Sequence, residues 1–144
     1  MYLQNSVKKQ RREYERYKNG LLYKRRQIFI FEDRISGSSI ITLLPMILEV
    51  AILNVKPGRS DQFETDFHTA GQYISSIKGY IKHTLKKCVE IRNQYILLVE
   101  WASVEAHEIG FRQSPQYLKW KELLHDYYDP FPQVLHYESV IDNS

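Results

Sequence analysis

The chain is 144 residues long, 43% hydrophobic and 13% aromatic, enough for one domain with a real core. Its net charge of +3 is uneven: residues 1–45 hold ten Lys/Arg against four Asp/Glu, and residues 46–144 hold ten against thirteen. No apolar run reaches the roughly 18 residues of a membrane span, and the single Cys88 excludes an internal disulfide or a thiolate metal cluster, so a reducing cytoplasm is expected.

In chain order, Val7–Gln27 is densely charged and reads as a helix with a thin apolar side of Tyr14, Tyr17, Leu21 and Leu22. Ile28–Pro45 offers two short apolar runs around a Ser/Gly break, neither with a clear partner. Methionine occurs at Met1 and Met46, and Met46 opens an apolar strand. Three readings of residues 1–45 follow. The segment is translated upstream of a true start at Met46, the reading adopted; or it is a poorly ordered extension; or it is a basic arm for nucleic acid or anionic lipid. The N-terminus lacks a basic start followed by an apolar core, so no secretory leader is expected.

Residues 46–144 form the expected domain. Met46–Lys56 reads as a strand stopped by Pro57-Gly58. Ser60 is placed to cap a helix that buries Phe63, Phe67, Ala70, Ile74 and Ile77 and stops near Lys78-Gly79. Tyr80–Val89 and Gln94–Ala102 read as a hairpin. Ser103 caps a short helix to about Phe111, and Ser114-Pro115 starts another that presents Tyr117, Trp120, Leu124 and Tyr127. Val134–Ile141 is a last strand. The order βαββαβ is the ferredoxin-like motif, an α+β fold whose four-stranded antiparallel sheet carries its helices on one face. The first and third strands are apolar on both faces, as central strands must be, while the second and fourth carry the charges that suit edges. The uncovered face is a large apolar patch, and a second copy packed sheet to sheet about a two-fold axis is expected to cover it.

Ile47–Gly58, Phe63–Phe67, Tyr95–Trp120 and Phe131–Val140 resemble the antibiotic biosynthesis monooxygenase family of the dimeric α/β-barrel superfamily. The most specific part is Trp101-x-Ser103-x-Glu105-Ala106-His107 with the following Phe111-Arg112-x-Ser114. The resemblance covers about Met46 to Val140 and none of residues 1–45. It implies a homodimer, a pocket between sheet and helices, and oxidation of an aromatic, quinol-like substrate by O₂ with no metal or other cofactor. Haem-cleaving relatives use an Asn, a Trp and a His at positions that fall here at Ala51, Phe111 and Lys121, so haem degradation is not implied.

A cofactor-free oxygenase needs a group to take a proton, donors or charges for the resulting anion, and a dry aromatic pocket. His107, on the inward stripe with Phe111, is the candidate base or anion partner; the alternative is a buried histidine bonded to a backbone carbonyl or a Glu that fixes its helix. Trp101, Phe111, Arg112, Tyr117 and Trp120, with Phe67 and His68 on the first helix, are the candidate pocket residues, the aromatics being equally compatible with plain core. His136 lies on an edge strand with no assigned role. The five histidines show no local spacing of the H-x-x-x-H kind, so no metal site is expected. A small-ligand binding or sensor module of the same fold is the second functional reading, and nucleic-acid binding through Lys8–Arg26 the third.

Overall fold

The computed structural model describes residues 26–32, 39–141 and 143. It divides into two units, one made of Met1–Met46 with Glu138–Ser144 and the other of Ile47–Tyr137. In the first, β1 (Arg26–Glu32) pairs antiparallel with β2 (Ser39–Pro45), Ile30 opposite Ile41. The two apolar runs that lacked partners in the sequence are each other's partner. Their Ile- and Phe-rich composition suits a ladder, and Arg26 and Gln27 belong to it rather than to a helix. The charged segment before Arg26, with the nucleic-acid reading that rests on it, lies outside the described residues.

The second unit holds β3 (Ile47–Asn54), α1 (Ser60–Ser75), β4 (Tyr80–Lys87), β5 (Gln94–Trp101), a π-helical segment (Ala106–Phe111), α2 (Pro115–Leu124), a 3₁₀ turn (His125–Tyr127) and β6 (Val134–Tyr137). Its sheet runs β4-β5-β3-β6, all antiparallel, with β3 and β5 central. This is the expected ferredoxin-like α+β fold, and the sheet is open. Among the described residues no helix is long and apolar enough to cross a membrane.

Burial follows the strand period. On β3 the helix-facing set is Glu49, Ala51 and Leu53, and on β5 it is Tyr95, Leu97, Val99 and Trp101. Phe63 is fully buried at the centre of an edge-to-face aromatic cluster with Phe67, Tyr95, Tyr127 and Tyr128, ring centroids 5.0 to 5.9 Å apart. The opposite face carries Leu48, Val50, Ile52, Ile96, Leu98, Leu135 and Tyr137. Ile52 is 43% exposed, Leu135 44% and Tyr137 50%.

Two helix ends differ from expectation. Ser60 is not the cap of α1: Arg59 stands there, and the Ser60 hydroxyl bonds Asn93 Oδ1 at 3.0 Å. Arg59 instead reaches across to Asp126 at 2.7 Å and lies over the Tyr127 ring, tying α1 to the 3₁₀ turn. The helix stops at Ser75 rather than Lys78, and Gly79 takes φ +90° to enter β4. Ser114 does cap α2, its hydroxyl accepting from the Tyr117 amide at 3.2 Å, with Pro115 in the first turn.

Candidate functional site

The cleft lies between the helix-facing side of β3 and β5 and the segment running from the π-helical turn through α2. Ala51, Leu53, Leu97 and Val134 form its floor; Phe111, Tyr117, Trp120, Tyr128 and Phe131 form its walls. Glu49, His107 and Arg112 make one polar end, and His125 is a further polar wall residue. The cleft is tight, about 50 Å³, and opens to solvent at its mouth.

His107 sits where the helix is widened. The Arg112 amide bonds the His107 carbonyl at 2.9 Å, a five-residue step, and Ser103 Oγ accepts from the Ala106 amide at 3.1 Å. The expected short helix is therefore wound as π over Ala106–Phe111, a form that recurs at functional sites. Its ring is 2% exposed as a residue, stacked on the Trp101 indole at 5.3 Å and 21° and beside Phe111 at 6.2 Å. Its two nitrogens face different partners. Nδ1 is 2.7 Å from His136 Nε2, and Nε2 is 3.5 Å from Glu49 Oε2.

Glu49 is the residue that sequence reasoning passed over. It is 4% exposed, and its Oε2 accepts the Trp101 indole N–H at 2.6 Å. Cross-strand register places it opposite Val99 on β5 and His136 on β6. The available signal was a lone carboxylate in an eight-residue strand that is otherwise apolar up to Asn54, in phase with Ala51 and Leu53. Burial holds the Glu49 carboxyl up, to about 7, against the lowering effects of the Trp101 bond and the Arg112 charge, while the Glu108 charge adds to the rise. Burial holds the His107 imidazole down, to about 3, with Arg112 and His136 adding to the fall. Near neutrality His107 is uncharged and Glu49 is poised between its two forms.

Of the residues singled out from sequence, His107, Phe111, Arg112, Tyr117 and Trp120 come together around this cleft. Trp101 is fully buried beneath His107 and supports it rather than forming a wall. Phe67 stands behind Trp120, edge to face at 5.4 Å, and lines a separate open groove with His68 and His83. His136, left without a role, joins the site through His107. Glu108 Oε1 lies 3.7 Å from His107 Nδ1 and 3.8 Å from His136 Nε2, and its other oxygen is 3.7 Å from Arg112. His107, Glu108 and His136 are grouped closely enough to suggest a cation site. The 2.7 Å His107–His136 separation is a hydrogen bond, well inside the roughly 3.3 Å edge of a tetrahedron with bonds of about 2.0–2.1 Å. The group is a hydrogen-bonded histidine pair with the Glu108 carboxylate beside it, 3.7 and 3.8 Å away.

Fold and site together define a small ferredoxin-like α+β domain with a half-aromatic cleft closed at one end by a buried carboxyl and imidazole. The family model for antibiotic biosynthesis monooxygenase (ABM) matches residues 46–123, and the chain belongs to that family. Protein YczJ of Bacillus subtilis strain 168, itself uncharacterized, is 48% identical over 95 residues, which span 66% of this chain and all of that protein. An antibiotic biosynthesis monooxygenase family structure from Bordetella bronchiseptica superposes with a TM-score of 0.65 at 32% identity, over 67% of this chain and 99% of its own. SnoaB of Streptomyces nogalater, a cofactor-independent oxygenase, shares the fold at 18% identity and a TM-score of 0.53, over 69% and 96%.

Proposed function

We propose that this protein oxidises a small electron-rich phenol or quinol with O₂ and without a cofactor, as a homodimer. The observation that carries this reading is the cleft itself: aromatic walls, an apolar floor, and one polar end where His107, Arg112 and Glu49 converge. A phenol bound there loses its hydroxyl proton at the polar end, and Arg112 supplies positive charge for the phenolate. The phenolate passes one electron to O₂, and the resulting radical pair joins at a ring carbon as a peroxide, which the returned proton converts to a hydroperoxide. Loss of water with the ring hydrogen leaves a quinone. One oxygen atom enters the ring and the other leaves as water, so the substrate supplies all four electrons. The narrow interior favours one ring held inside, with any larger portion toward the mouth. Family membership and the cofactor-independent relative of the same fold support the absence of a cofactor.

Both His107 nitrogens face protein groups, so in this reading His107 acts one step behind the substrate. Oxygen uptake with a panel of phenols and quinols tests the proposal. Wild-type protein is expected to consume O₂ with at least one of them, and a folded His107→Ala dimer to consume it more slowly, as loss of the group behind the acid–base residue requires. A panel bound but returned unchanged under O₂ would favour the ligand-binding module instead.

A further inference from the structure

A buried carboxyl that exchanges protons with a bound molecule has a difficulty: the occupant of the cleft stands between it and water. In this protein a second path leads out. Glu49 Oε2 faces His107 Nε2 at 3.5 Å; across that ring, Nδ1 is hydrogen-bonded to His136 Nε2 at 2.7 Å. The His136 side chain is 18% exposed and stands 3.8 Å from Glu108, whose side chain is 41% exposed. The chain climbs from a carboxyl at the end of the cleft to solvent through three elements, β3, the π-helical turn and β6. Trp101 fixes both inner members, donating to Glu49 and stacking under His107.

We propose that Glu49 is the proton-exchanging residue of the cleft and is wired to solvent through His107 and His136. The states balance as follows. With Glu49 protonated, His107 carries its hydrogen on Nδ1 and donates it to His136. When Glu49 ionises, its proton goes to His107 Nε2 as the Nδ1 hydrogen passes to His136 Nε2. His136 gives up its own Nδ1 hydrogen to water, while its Nε2 keeps the new one and donates it back to His107 Nδ1. His107 is left donating from Nε2 toward the Glu49 carboxylate, so its tautomer reports the ionisation of Glu49 and no separate reset is needed. In the oxygenase reading, on which the substrate's identity rests, ionised Glu49 takes the phenolic proton and later gives it to the peroxide. Glu49 is then the catalytic residue, and His107 and His136 are positioning residues. The charges facing the pair are Arg112 and Glu108; Arg112 favours the ionised carboxyl and Glu108 opposes it. The near-neutral titration of Glu49 matches what a base working at cellular pH needs.

Two measurements on the full chain test this. In the first, the Glu49 carboxyl carbon and the His107 ring nitrogens are followed by NMR across pH. The two are expected to move with a common midpoint near 7, His107 switching tautomer without becoming charged, and His136→Ala is expected to uncouple them. A carboxyl that titrates in the ordinary range, or a His107 tautomer unchanged through the Glu49 transition, overturns the wiring. In the second, Glu49→Gln is expected to lower oxygen uptake about 10²–10⁴-fold, with Glu49→Asp recovering part of it. A wild-type rate in folded Glu49→Gln overturns the catalytic assignment. If wild-type protein oxidises no phenol, the oxygenase reading falls while the NMR result still decides the wiring.

Discussion

At the scale of single residues, Glu49 and His107 pull the pH dependence of stability in opposite directions. Glu49 is raised from 4.5 to about 7, so between those values the folded state holds more protons than the unfolded chain and stability falls as pH rises. His107 is lowered from 6.5 to about 3, so between those values the unfolded chain holds more protons and stability rises with pH. The windows overlap between 4.5 and 6.5, where the two slopes oppose each other. Glu49→Gln removes one of them. The variant's unfolding free energy, from urea titrations at several pH values, is expected to climb more steeply than wild type across this overlap, by up to about 1.4 kcal/mol per pH unit. Parallel curves would show that the buried carboxyl is not held up by the fold.

At the scale of elements, the strands and helices of residues 46–137 were legible because their periods are clean. Phe63, Phe67, Ala70 and Ile74 recur at helical spacing, and the double-sided apolarity of β3 and β5 marked them as central. The site was legible only in part. Local pattern found His107, since it shares an inward stripe with Phe111. It could not find the pairing of His107 with His136, which are 29 residues apart and joined by the return of β6 beside β3. Glu49 was hidden for a related reason: a lone carboxylate in an apolar strand has no meaning until register sets it beside Trp101 and His107. The π winding also had no periodic signature, because a six-residue segment is too short to separate steps of four and five. Tertiary packing supports that winding. At Gly79 an added Cβ would come within 2.7 Å of Ala106 Cβ, at a φ of +90° that L side chains rarely adopt. Gly79→Ala is therefore expected to cost about 1–3 kcal/mol in a denaturant melt, and to broaden the His107 resonances. An unchanged melt would remove close packing at Gly79 as a reason for the turn's position.

At the scale of the molecule, the unit Ile47–Tyr137 has its helices on one side of the sheet and Val50, Ile52, Leu98 and Leu135 on the other. We propose that residues 46–144 are the functional domain, since the family match begins at Met46 and the Bacillus relative is matched over its whole length by about two thirds of this chain. We further propose that the apolar sheet face is the dimer surface. Ile52 is central on β3 and 43% exposed, so Ile52→Glu places a charge that a sheet-to-sheet contact would have to desolvate. Sedimentation is expected to give twice the chain mass for wild type and the single chain mass for Ile52→Glu, with folding retained in both. A variant that stays dimeric would move the interface elsewhere.

The widened turn at Ala106–Phe111 makes residue count a control on the site. A π turn is what an α-helix becomes when it absorbs one surplus residue while both its ends stay anchored, here by Ser103 before it and Ser114 after it. The place of His107 beside His136 thus depends on that extra residue. A relative with one residue fewer between those serines would close the turn to ordinary α-helix, shift the inward stripe by a step, and present a different side chain to the carboxyl on the strand. Counting residues between the two serines is then a way to sort family members by whether they can hold this proton path, before any of them is assayed.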